Sequence, residues 1–306
     1  MGGSTSAVKP TRLLCLGDSH TVGQHGSDYV RPLASRIGMS DVKVDAMNGC
    51  ETFNVGARLQ QNFAARARAP SSHTVVLVGT NDLLRDVIHS INPEAYWVRH
   101  IYDAQNTLDP GLEPMAGFVP GLSKFRENFM AIVKQLIGEP SVHFIYCVSL
   151  PPIGEPTSEI DEHSSKTILG YYLKQWQAYN DVIKELSSAL SSPAKPIEYV
   201  PFGETLTAHL RNLQSSGSSI PYTFQAFNFL ANAATTYSDG LPPAVIQVMF
   251  GQKSAEFTSV GDQRGWHYMH DSIHFNERAR DVLVELLARA IQKKSTLSGD
   301  EASSRP

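Results

Sequence analysis

Short apolar runs alternate with segments of helical period along the first two hundred residues. Residues 12–16 (RLLCL) read as a strand, as do 42–46, 73–78 (HTVVLV), 142–150 and 197–200. Between them Tyr29, Val30, Leu33 and Ile37 recur at helical spacing, with Pro32 tolerable only in an early turn. Residues 57–67, 125–137 and 167–190 read as helices, and 275–294 as a closing helix. Asn92-Pro93 has the form of an N-cap and first helical position, opening a helix through Trp97 and Ile101. Such alternation predicts an α/β fold, a central parallel five-stranded sheet with helices on both faces. Two stretches, 83–122 and 203–265, break the alternation without a Pro/Gly-rich linker. They are expected to be insertions near the crevice edge of a single domain spanning 11–294. Residues 1–10 are expected to form a flexible leader and 295–306 a disordered tail.

Composition narrows the function classes. Of 306 residues, 42 % are hydrophobic and 18 % charged, which suits a chain with a sizeable core. A net charge of -4 gives no basic footprint for nucleic acid. No apolar run approaches the roughly 18 residues of a membrane span. Cys15 and Cys147 sit in strand-like runs, and with Cys50 the cysteine count is odd. Buried thiols in a reducing compartment follow, and a cytoplasmic location is expected. The opening Met1-Gly2-Gly3-Ser4-Thr5-Ser6, with Lys9 after it, fits N-myristoylation of Gly2. One acyl chain would give weak, reversible membrane association; the alternative is a plain polar leader.

Candidate chemistry gathers where strands end. Gly17-Asp18-Ser19-His20-Thr21-Val22-Gly23 follows the first strand and offers a serine hydroxyl in a glycine-flanked turn. Such a hydroxyl needs a base to take its proton. His274 can be that base, and Asp271, three residues earlier, can hold its other ring nitrogen. Gly49, after the second strand, can present a backbone N–H, and Asn81, after the third, a side-chain amide. Together with the Ser19 N–H these are three donors for an oxyanion. Each motif alone has a bland reading as a turn or a helix cap. A parallel sheet, however, brings three successive strand ends to one edge. His267, His270, Asp271 and His274 also have spacing that can bind zinc, but that chemistry would leave Ser19 and Asn81 without roles.

In these blocks the chain resembles the SGNH hydrolase (GDSL esterase/lipase) family. Gly17-Asp18-Ser19-His20-Thr21, Gly49, Gly79-Thr80-Asn81-Asp82 and Asp271-Ser272-Ile273-His274 match its blocks in order. The segment 148–154 (VSLPPIG) resembles the family's fourth-strand exit. The resemblance implies a flavodoxin-like three-layer sheet and a serine esterase or lipase that needs no cofactor or metal. It assigns Ser19 as nucleophile, His274 as base, Asp271 as its partner, and Gly49 and Asn81 as oxyanion donors. The implied partner is a small-molecule ester. An acyltransferase using the same serine, or a non-catalytic binding module, would share the fold. Two departures stand out. His20 replaces the family's Leu, and Gly49 is followed by Cys50-Glu51 where Asp-Thr or similar is usual, with Gly56 as the alternative donor. The aromatic stretch 221–230 (PYTFQAFNFL) is a candidate acyl or aryl pocket, or else the core of its own insertion.

Overall fold

Strands form where apolar runs are long enough to be buried from both sides. The computed structural model describes residues 12–23, 27–64, 72–91, 121–153, 168–215, 262, 267–269 and 273–303. Five strands, β1 (Arg12–Gly17), β2 (Asp41–Ala46), β3 (Ser72–Leu77), β4 (Val142–Val148) and β5 (Ile197–Val200), make one parallel sheet in the order β2-β1-β3-β4-β5. The central strands β1 and β3 are buried almost throughout, whereas edge strand β2 leaves Val42 and Val44 exposed. Eight helices complete the described residues: α1 (Ser19–Val22), α2 (Val30–Ile37), α3 (Thr52–Ala64), α4 (Thr80–Ile91), α5 (Leu122–Gly138), α6 (Ile168–Ala189), α7 (Phe202–Ser215) and α8 (Glu277–Ser303).

The chain steps from β1 outward to β2, then returns past β1 to β3. Right-handed crossovers in opposite directions put their helices on opposite faces, which is how one sheet acquires two covering layers. Alternate side chains of each strand feed the two cores. Leu14, Leu16, Val76, Ile145 and Cys147 pack with α3, α5 and α6, through residues such as Leu59, Phe129 and Ile183. Leu13, Cys15, Val75, Leu77 and Tyr146 pack with α2, α7 and α8, through Leu33, Leu206 and Leu287. The architecture is three-layer α/β/α of the flavodoxin type, as the sequence predicted. Gly17 lies level with Ala46 of β2 and Leu77 of β3, so three strands end side by side. The reversal of strand order between β1 and β3 opens the crevice there.

Several boundaries differ from the sequence reading. Residues 83–91, assigned to an insertion, belong to helix α4, and 203–215, assigned to the second insertion, belong to α7. Both helices bury apolar faces, Leu83 and Leu84 in one and Phe202, Leu206 and Leu210 in the other. Helix α3 begins at Thr52, five residues before the predicted start, because its first turn is capped from α4. The expected disordered tail is helical as far as Ser303, since α8 runs unbroken from Glu277. The helix at Asn92-Pro93, the 221–230 segment, Gly2, His270 and Asp271 lie outside the described residues. Among the described residues no helix is long and apolar enough to cross a membrane.

Candidate active site

The serine turn is built by local backbone bonds. Asp18 is extended and N-caps α1: its Oδ1 accepts the His20 N–H at 3.0 Å, and its carbonyl accepts from Thr21 and Val22, each at 3.0 Å. Gly23, at φ 68°, closes the turn by donating to the Ser19 carbonyl at 3.1 Å. Ser19 is thus the first residue of a helical turn, where a backbone N–H has no acceptor within the turn. Gly17 is required by closeness: a Cβ there would overlap the Leu77 carbonyl oxygen and Thr21 Oγ1.

The base comes from the far end of the chain. Met269 and Phe275 form an antiparallel bridge, which brackets the segment carrying His274. Asn276 secures it. Its N–H donates to Tyr268 O at 2.7 Å, and its Nδ2 to His267 O at 2.8 Å. Its Oδ1 accepts from Arg278 N at 3.0 Å and so caps α8. Ser27 N–H holds the Phe275 carbonyl at 3.1 Å, tying this segment to the β1–α2 connection. The result is a hydrogen bond of 2.9 Å between His274 Nε2 and Ser19 Oγ, across 255 positions of sequence. The two residues are 4 % and 7 % exposed. His20 stacks on Phe275 at 5.0 Å and tilts against the His274 ring at 5.4 Å. It acts as a flat packing surface behind the base.

The candidate oxyanion donors approach from β2 and β3. Met47 N–H reaches Gly17 O at 3.3 Å, and Cys50 N–H closes a turn on Met47 O at 3.2 Å. Gly49 occupies that turn at φ 73°, a left-handed conformation that favours glycine. The alternative, Gly56, lies inside α3 facing Ile132. Asn81 Nδ2 donates to Cys50 O at 2.9 Å, so Asn81 sits against the Gly49 turn. An amide nitrogen carries two donors, and the second can serve an oxyanion. Ser19, His274, Asn81 and Gly49 therefore come from three adjoining strand ends and one C-terminal segment. Asp271 falls in sequence between the bridged residues 269 and 275, outside the described residues. Among the described residues no three His, Cys, Asp or Glu side chains converge as metal ligands.

Three buried carboxyls surround these loops, and none was anticipated. Burial pushes Asp18 up to about 7, against the opposing pull of the His20 N–H and the His274 ring. Burial, reinforced by Asp82, pushes Glu51 up to about 8, with Arg85 opposing. Asp82 is also raised by burial, although both its oxygens accept from Thr52, at 2.9 Å from the N–H and 2.6 Å from the hydroxyl. Asp82, in the first turn of α4, thus caps the start of α3. Cys50, pushed up by burial to about 12, is no thiolate nucleophile.

A scan against protein-family models finds no match for this chain, and a search of curated proteins finds none. Among solved structures, the acetyl xylan esterase AlAXEase is similar, with a TM-score of 0.51 and 13 % identity over 92 % of this chain and 99 % of that one. The likeness is one of fold. A GDSL-like lipase from Bacteroides thetaiotaomicron aligns at TM-score 0.48 and 11 % identity, over 93 % of this chain and 89 % of the other. AlinE4, an SGNH-hydrolase family esterase, aligns at TM-score 0.40 and 15 % identity, over 74 % and 94 %.

Proposed function

We propose that the chain is a serine hydrolase of the SGNH type that cleaves carboxylic esters through an acyl-enzyme. The observation that carries this reading is the buried 2.9 Å hydrogen bond from Ser19 Oγ to His274 Nε2 at the sheet's switch point. A serine in that relation to an imidazole is an activated nucleophile. Ser19 Oγ attacks the ester carbonyl as its proton passes to His274. The oxyanion is held by the N–H groups of Ser19 and Gly49 and by the Asn81 amide. His274 then protonates the leaving alcohol, and water repeats the sequence on the acyl-serine. Asp271 holds the imidazole tautomer and stabilises the imidazolium. Three free, buried cysteines suit a reducing location such as the cytoplasm. Weak membrane attachment through Gly2 is part of the same proposal, tested by incorporation of a labelled myristoyl chain.

The experiment is hydrolysis of a p-nitrophenyl ester series, acetate to long chain, by wild type and Ser19→Ala. The proposal expects turnover by wild type and near-complete loss in a folded Ser19→Ala. Near-native rates in that variant would overturn it. Added acceptor alcohols that become esterified at the expense of hydrolysis would reassign the enzyme as an acyltransferase on the same serine.

A further inference from the structure

We propose that Glu51 and Arg85, with Thr52 and Asp82, form a buried clamp that positions the Gly49 turn against Asn81. These four are positioning residues for the oxyanion site, and the proposal rests on the ester-hydrolase reading above.

The geometry is a short zipper between two helix starts. Residues 81, 82 and 85 of α4 each reach one of the consecutive residues 50, 51 and 52. Asn81 Nδ2 donates to Cys50 O at 2.9 Å. Asp82 accepts from the Thr52 N–H and hydroxyl at 2.9 and 2.6 Å. Arg85 Nη1 donates to Glu51 Oε2 at 2.7 Å, and its Nη2 makes a second close contact with Oε1. Side chains of the Glu51–Arg85 pair are only 3 % and 4 % exposed. Glu51 N–H is fixed by Asn54 Oδ1 at 3.0 Å, so the carboxylate leaves a rigid helix entry.

The chemistry explains why a pair stands where it does. Two carboxyls, Glu51 and Asp82, are buried in one dry site, and Arg85 is the cation that bears on both. A forked guanidinium fixes direction as well as distance, which a point charge does not. Buried ion pairs seldom add stability over apolar residues of equal volume; their best-supported use is to specify one arrangement. Here the arrangement specified is the spacing between two strand exits that carry candidate oxyanion donors. Glu51 is the second residue of Cys50-Glu51, the pair that follows Gly49 where the resembled family has Asp-Thr or similar. Arg85, its partner, lies on α4 one helical turn beyond Asn81.

The test is a double-mutant cycle of Glu51→Gln, Arg85→Met and both together, with Arg85→Lys as the conservative variant. Ester hydrolysis is measured beside affinity for an arylboronic acid, which forms a tetrahedral adduct on a serine oxygen. The clamp predicts folded variants whose kcat falls about 10- to 100-fold with KM little changed, since misplaced donors act in the transition state. Boronate affinity should fall in parallel, Arg85→Lys should recover part of both, and the double variant should be no worse than the poorer single one. The double variant does not strand the Glu51 charge that Arg85→Met alone would leave, so it keeps the test open if Arg85→Met fails to fold. Wild-type kcat and boronate affinity in folded variants would overturn the clamp alone, as would a rise in KM with kcat unchanged. A wild type inert to both esters and boronate would overturn the ester-hydrolase reading and the clamp with it.

Discussion

Replacing Asp18 by Asn should stabilise the protein relative to wild type, by an amount that grows as pH rises, although it lies beside the proposed nucleophile. The Asp18 side chain is wholly buried, and burial raises its carboxyl from the usual 3.8 to about 7. The unfolded chain therefore loses this proton near pH 4, while the native chain keeps it until about pH 7. Across that window the native state binds more protons, so stability falls as pH rises. Below pH 4 the residue is neutral in both states and contributes no such penalty; above pH 7 the penalty is complete. A displacement of this size corresponds to roughly 4 kcal/mol as an upper figure. The side-chain amide introduced by Asp18→Asn would keep an oxygen to accept the His20 N–H but cannot ionise. Urea unfolding of wild type and Asp18→Asn from pH 4 to pH 8, at fixed ionic strength, measures the difference. It should be near zero at pH 4 and grow in favour of the variant to a plateau just above pH 7. Glu51, raised to about 8, slopes the same way in both proteins and cancels in the comparison. A stability difference that does not change with pH would refute the reasoning.

Other substitutions probe the frame of the site. Gly17→Ala must displace either the β3 backbone at Leu77 or the serine turn, so a lowered Tm with lost activity is expected; an unchanged Tm would show that the close approach is not needed. Asn276→Ala removes the α8 cap and the tie to His267 O, and should lower stability by about 1 kcal/mol and kcat with it, read by urea unfolding and ester turnover. Asn81→Ala should lower kcat by about 10²- to 10³-fold; a change confined to KM would make Asn81 a substrate-binding residue instead.

The five strands were legible because strands of a parallel sheet, covered on both sides, are continuous apolar runs such as LLCL in β1 and VVL in β3. The same fact made three of the four blocks legible as strand ends; the fourth, with His274, belongs to the C-terminal segment. Helix α7 has apolar residues at 202, 206 and 210, yet it follows the last strand, where alternation gives no reason to expect another element. Helix α4 was hidden for a different reason. Its first turn serves α3 through Asp82, and contacts across 30 residues leave no trace in local periodicity. Glu51 and Arg85 were invisible as a pair because charged side chains are exposed by default, and only the folded loops show them buried. Asn276 was within reach, an Asn directly before a helix that starts with Glu277, but its second task of bracing the His274 segment depends on tertiary contacts.

The central claim is that His274 activates Ser19. Reaction with a fluorophosphonate, followed by peptide mapping, measures it most directly. The account predicts a single adduct on Ser19 in wild type, formed far more slowly in His274→Ala. An unmodified Ser19, or labelling at the same rate without the imidazole, would contradict it.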